Sequence, residues 1–483
     1  MDLNILDIQS NSIGGYFSSE QIDLLSIIQC NSIEELIAFI KECEQINQIK
    51  NINENIIGMD LESAKRFVFK AYQDTMAYHN ESKENSRKRR LDYLGITPEQ
   101  MEDIIINRVP GSERLLELNH HFVSEERDQI KSEDLYDEMT ILNENLSKFN
   151  LMLVGSGKIY NVVNKYYKEK RFDFYHAKRD LDFAYRNGKQ VRYHSLLVKD
   201  DASNLFEGKS KEEILQIMES YVKESINFIN DYNASHKVII NGKEEPVINA
   251  VDLFNEIVSF ERDENGQYYN LWERKYGISM NELMSVFEYA RVNKPDGISY
   301  LYNEPFLEDD DRRRKVFETL GEIDKLSPGL IDTLGSQMHI TIGEDYSKIE
   351  RCFNDLKTLQ DRTDKKIQIT EFDMSLGSKE ISRVFGENSN VSLEQVYDIK
   401  KERISNISKI INDSGVILSG VSYWSLTDGI DCNLERVRTN ALENNQISDL
   451  SQIPTACGGL IPTHKKLLSK NYESEKTTDS IKK

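Results

Sequence analysis

The sequence predicts an α/β fold, an eight-stranded (β/α)8 TIM barrel with an extra N-terminal helical region. Three observations carry that reading. Short apolar segments alternate with helical ones over roughly 350 residues, the pattern of parallel βα units. Seven of those segments read as strands, which is close to the number a closed barrel needs. Polar side chains gather at their C-terminal ends, the reactive face of a barrel. A doubly wound sheet competes for the same alternation, but no Gly-x-Gly-x-x-Gly opens a helix.

The elements follow in order. In residues 1–110, "NSIEELIAFIKECEQI" opens with Ser32 and Glu35 in capping-box spacing. Ile33, Leu36, Ile37 and Ile40 then recur at a helical period. "DLESAKRFVFKAYQDTMAYH" predicts a second amphipathic helix. "SRKRRLDYLG" carries four consecutive basic residues, read as a solvated helix face. A short helix in "GITPEQMEDIIINRVPG" closes at Pro110-Gly111, where a domain boundary is expected. The barrel is expected over 111–470, and a polar, frayed tail over 471–483. Its strands are 148–155, 189–198, 247–256, 297–304, 330–340, 365–374 and 420–428, with an eighth expected in "SERLLELNHHF" (112–122).

Composition narrows the function. The chain has 483 residues, 39% of them hydrophobic, enough for a sizeable core. Its net charge of −21 argues against a nucleic-acid partner, which would need a basic footprint. No stretch approaches about eighteen apolar residues, so no membrane partner is expected. The N-terminus lacks a basic region followed by an apolar run, and five scattered cysteines form no Cys-x-x-Cys pair. Both features are those of a reduced cytoplasmic protein, with no disulfide framework and no zinc site.

The candidate site residues lie where strands end. "VDLFNE" ends in Asn255 and Glu256, and "QMH" places Gln337 and His339 two apart. "ITEFD" carries Glu371 and Asp373 in line with Ile367 and Ile369. "RYH" carries Arg192 and His194, and "YWSLTD" carries Trp424 and Asp428. Two glutamates on two strand ends suit the paired-carboxylate chemistry of glycoside hydrolysis. One must stay protonated, which burial or a neighbouring carboxylate achieves; the other must stay ionised, which a donor such as His339 achieves. Asn255 is placed to bind a sugar 2-hydroxyl. Taken singly, a glutamate at a strand end is more often a salt-bridge partner, and a histidine more often structural. No His-x-x-x-His or Glu-x-x-His spacing supports a metal site, and no cofactor is required.

The ordered set resembles glycoside hydrolase family 10, the retaining endo-β-1,4-xylanases. "VDLFNE" is similar to that family's Trp-Asp-Val-Val-Asn-Glu strand, which implies Glu256 as acid/base beside Asn255. "ITEFDM" is similar to Ile-Thr-Glu-Leu-Asp, which implies Glu371 as nucleophile and Asp373 as its support. "GSQMHI" resembles Gly-x-Gln-x-His, which implies Gln337 and His339 near the nucleophile. "NGKQVRYHSLLV" resembles Asn-Gly-Lys-x-x-Arg-Gly-His-Thr-Leu-Val, which implies His194 at the central sugar and Arg192 beside it. "YLYNE" resembles Leu-Tyr-x-Asn-Asp, placing Asn303 as a supporting residue, and "YWSLTD" implies a substrate-facing Trp424. The similarity covers roughly 145–468, and implies a carbohydrate substrate.

Three positions depart from the family pattern. Its Glu-Asn-Glu-Met-Lys-Trp sugar clamp is "GSGKIY" here, Gly155 to Tyr160. Its Val-Trp-His is Val198 and Lys199 after Leu197, and a second tryptophan is replaced by Cys432. Two other readings therefore stay open: a carbohydrate-binding or regulatory protein on the same scaffold, and a retaining hydrolase of another β-linked oligosaccharide. Residues 1–110 have no counterpart, and a protein partner is a possible role for them.

Overall fold

The structure is a computed structural model that describes residues 12–47, 49, 52–75, 132–198, 203–305, 307–375, 384, 393–424, 426, 457 and 458. The chain divides into two compact units. One holds the described residues up to Ser19 and those from Asn145 on; the other holds those within Glu20–Glu144.

The first unit is a closed parallel barrel of eight strands. They are β1 (Ile13–Tyr16), β2 (Leu151–Val154), β3 (Gln190–Tyr193), β4 (Ile248–Asn255), β5 (Ser299–Glu304), β6 (Thr333–Ser336), β7 (Lys366–Ser375) and β8 (Leu418–Tyr423). Each pairs in parallel with the next, β2 with β3 through β7 with β8. β1 closes the ring: Gly14 pairs with Ser422 of β8 on one side and with Leu151 of β2 on the other. The inner members of β7, Ile367 and Ile369, are fully buried.

The closing strand is not the one expected from the sequence. Residues 112–122 lie outside the described residues, and β1 comes from the N-terminal stretch expected to be only helical. The expected division at residue 110 is corrected accordingly: the barrel takes its first strand from residues 13–16, and the helical segment is inserted between β1 and β2. The physical reason is that "IGGY" is too short to show alternation and contains two glycines, which weaken a strand. Those glycines answer a packing demand, since a Cβ on Gly15 would sit 2.5 Å from Leu426 Cδ2. The tail over 471–483 and the basic run at 86–95 also lie outside the described residues.

Capped helices follow the strands. Lys211–Ser235 and Met280–Val292 each begin with a full capping box, Ser210 with Glu213 and Ser279 with Glu282. Asp309 caps Asp310–Leu326 through a bond accepted from the Arg312 N–H, and Asp345 caps Tyr346–Arg362 likewise.

The second unit is helical, with Ile33–Glu42, Ile52–Ile56 and 61–75 among its elements. Ser32 caps the first of these by accepting from the Glu35 N–H, while Glu35 returns its carboxylate to the Asn31 N–H rather than to Ser32. Asp23 lies buried in this unit and accepts from the Tyr72 hydroxyl at 3.0 Å. Among the described residues, no helix is long and apolar enough to cross a membrane.

Candidate active site

The site lies at the C-terminal ends of the barrel strands. Glu371 on β7 is buried, and three basic groups surround it. His339 Nε2 is 3.2 Å from its Oε2, Arg192 Nη2 is 3.8 Å from its Oε1, and His194 Nδ1 is 4.0 Å from the same oxygen. Asn303 Nδ2 donates to Oε1 at 2.8 Å. Burial pushes the carboxyl up, but the His339 hydrogen bond and the His194, His339 and Arg192 charges outweigh it and hold it down at about 2. Burial likewise disfavours the charged His339 ring, yet Asp373 at 3.0 Å and Glu371 hold it well above its ordinary value.

Glu256 follows β4 in a left-handed conformation, φ 57°. Such a conformation costs a non-glycine residue about 1–3 kcal/mol and persists where surroundings over-determine it. Its N–H donates to the Asn303 carbonyl at 2.9 Å, and its Oε1 accepts from Gln337 Nε2 at 2.9 Å.

Amides join the two glutamates. Gln337 Nε2 also reaches Asn255 Oδ1 at 3.3 Å, and Asn303 Nδ2 donates to that oxygen at 2.9 Å as well as to Glu371. With Asn255 Oδ1 so occupied, the amide orientation is fixed and its nitrogen is the end left for other partners. Thr370 Oγ1 donates to Asn303 Oδ1 at 2.6 Å, which fixes that amide as well.

Gln337 and His339 both reach the site, but not as neighbours on one strand face. β6 stops at Ser336, Met338 takes φ 61°, and a separate short strand, His339–Thr341, pairs beside Asp373. The break sends Gln337 to Glu256 and His339 to Glu371.

The sequence reading missed three groups. Asp252 is fully buried and holds His194 Nδ1 at 2.6 Å and Arg192 Nε at 3.3 Å. A lone acid in the apolar run "INAVDLF" was a usable signal, because a buried charge needs a partner. Tyr16 of β1 stacks on Trp424 with ring centroids 4.3 Å apart and planes 14° apart. His194 and His339 meet Trp424 edge-on at 6.1 and 5.8 Å. Nothing in "IGGY" marked Tyr16. Glu304, at the end of β5, is fully buried and accepts from the N–H groups of Ile257 and Val258, which follow Glu256.

The altered clamp has a packing explanation at Gly157. A Cβ on Gly157 would lie 1.9 Å from Tyr193 ring atoms, and the Gly157 carbonyl accepts from the Tyr221 hydroxyl at 2.7 Å. Packing explains Gly157 and not Gly155, whose added Cβ would meet Tyr16 and Lys158 only at an ordinary contact distance of 3.7 Å. Val198 is buried, and its carbonyl accepts from Trp272 Nε1 at 3.2 Å. Asp428 and Cys432 lie outside the described residues. Among the described residues, no cluster of three or more His, Cys, Asp or Glu could hold a metal ion.

Comparison with known proteins places this arrangement. The sequence profile described as glycosyl hydrolase family 10 matches residues 119–445, more than half of the chain. Endo-1,4-beta-xylanase A of Thermotoga neapolitana is 25% identical over 267 residues, which are 53% of this chain and 22% of that protein. Beta-1,4-xylanase of Dictyoglomus thermophilum is 25% identical over 293 residues, 59% of this chain and 74% of that one. The chain thus spans about a fifth of the Thermotoga relative's length. Among solved structures, native xylanase10C from Cellvibrio japonicus matches with a TM-score of 0.47 and 21% identity, covering 58% of this chain and 56% of that one. β1 precedes the matched segment. By the profile match over most of its length, the chain belongs to glycosyl hydrolase family 10.

Proposed function

We propose that the chain is a retaining β-glycosidase, endo-1,4-β-xylanase-like, acting on xylan or xylo-oligosaccharides. One observation carries the reading. A buried glutamate is held ionised by three basic groups, and a second glutamate is tied to it through Gln337, Asn255 and Asn303. Two carboxylates with different environments are what double displacement requires.

Glu371 attacks the anomeric carbon. The glycosidic C–O bond breaks, and the proton of Glu256 passes to the departing oxygen. A glycosyl ester on Glu371 results. Glu256 then takes a proton from water, whose oxygen attacks the same carbon and frees Glu371. His339, backed by Asp373, and Arg192 keep Glu371 anionic between turnovers. Asn255 offers its amide nitrogen to the sugar 2-hydroxyl. His194, held by Asp252, and Trp424 line the sugar. The xylanase names of the relatives support the substrate class.

A second reading has its own observation. Gly155 and Gly157 align with the acids of the family's clamp, and Tyr193 fills the space beside Gly157. A site without those acids suits a retaining hydrolase of another β-linked oligosaccharide. Aryl β-xyloside turnover by the wild type and by Glu371→Ala tests catalysis, and a panel of xylo- and gluco-oligosaccharides tests the sugar. Equal rates for the two proteins would overturn the enzymatic reading.

A further inference from the structure

Glu304, at the end of β5, and Arg312, in the helix Asp310–Leu326 that follows, form a buried ion pair, with relative exposures of 0% and 1%. Arg312 Nη2 lies 2.7 Å from Glu304 Oε2. Both residues are bonded to the chain around Glu256. The pair holds the backbone that follows Glu256. Glu304 Oε1 accepts from the N–H of Ile257 at 2.8 Å and of Val258 at 3.0 Å. Arg312 donates to the carbonyls of Val258 at 2.8 Å and Ser259 at 3.1 Å, and to that of Pro305. Donors and acceptors of three consecutive residues are thus fixed by one pair of charges.

Glu304 reaches Glu256 by a second route. Its own carbonyl accepts from the Gln337 N–H at 3.1 Å, and the Gln337 side chain donates to Glu256 Oε1. The neighbouring residue, Asn303, accepts from the Glu256 N–H. Glu256 sits in a left-handed conformation that its own local sequence does not favour. These bonds hold the backbone on both sides of it and one oxygen of its carboxyl.

We infer that Glu304 and Arg312 are positioning residues for Glu256, holding its carboxyl where it can protonate the departing oxygen. The inference rests on the proposed function. A charged pair suits the task better than a neutral one, because ionised partners make shorter and stronger hydrogen bonds to backbone groups. A displacement of about 1 Å in a reacting group can cost a hundredfold in rate.

Leaving-group dependence reads this role directly. A phenyl β-xylobioside needs its departing oxygen protonated; a 2,4-dinitrophenyl β-xylobioside leaves unaided. Wild type, Glu304→Gln and Arg312→Lys are assayed on both, with folding checked by circular dichroism. The expected result for Glu304→Gln is a loss in kcat/KM of about tenfold or more on phenyl, and of less than about threefold on dinitrophenyl. Arg312→Lys keeps the charge but loses the fork that reaches Val258 and Ser259, and the same pattern at smaller size is expected. It decides the matter if Glu304→Gln does not fold. Equal losses on both substrates would overturn the positioning role and leave the proposed function intact. A wild type inert on both would overturn the proposed function itself.

Discussion

Replacing His339 by alanine should raise the pH at which the site loses activity in acid. Glu371 is held at about 2 against an ordinary 4.5, a difference of about 3 kcal/mol. Its carboxyl is depressed by folding, so this contribution is fully present above 4.5 and is lost as pH falls toward 2. His339 supplies both the hydrogen bond and one of the charges that oppose burial. Its removal also strips Asp373 of its cation, leaving a second carboxylate on the same strand face. Both changes push Glu371 up. The acid limb of kcat/KM, which reports the free enzyme, should rise by at least about one pH unit, or about 1.4 kcal/mol. The assay is a pH profile with 2,4-dinitrophenyl β-xylobioside, whose departure needs no proton and so isolates the nucleophile. A limb unmoved within about 0.3 pH unit, in a folded variant, would refute the argument that His339 keeps Glu371 ionised.

Other expectations follow from single contacts. Tyr16→Ala removes the ring stacked on Trp424, a contact of about 0.5–1.5 kcal/mol, and should raise KM for xylobiosides roughly three- to tenfold with kcat less affected. Gly157→Ala forces a methyl into Tyr193, and a loss of about 1–3 kcal/mol should lower the melting temperature by a few degrees in calorimetry. Asp252→Asn leaves Arg192 and His194 without their shared carboxylate, and a cost of about 3–5 kcal/mol should appear as a lower denaturant midpoint together with reduced kcat/KM.

The readable parts of the sequence were those with a strong local signal. β4 and β7 are long, and each ends an apolar run in a carboxylate, so Glu256 and Glu371 stood out. Parity arguments worked on β7, where Glu371 and Asp373 both reach His339. They failed at 337–339, because a left-handed Met338 breaks the strand and no residue type there announces it. β1 was hidden by its length and by the helical segment that separates it from β2. Tyr16 was hidden with it. Glu304 sat in plain view beside Asn303. Its role lies in backbone bonds to Ile257 and Val258, which pattern reading does not reach.

The central claim is that Glu371 becomes covalently attached to the sugar. A 2-deoxy-2-fluoro-β-xylobioside with a dinitrophenyl leaving group traps that species, because fluorine slows the second step more than the first. Intact-mass and peptide mass spectrometry should find one fluoro-xylobiosyl group per chain, on the peptide bearing Glu371 and lost in Glu371→Ala. Turnover of the parent xylobioside without any trapped adduct, or an adduct on another residue, would contradict the account.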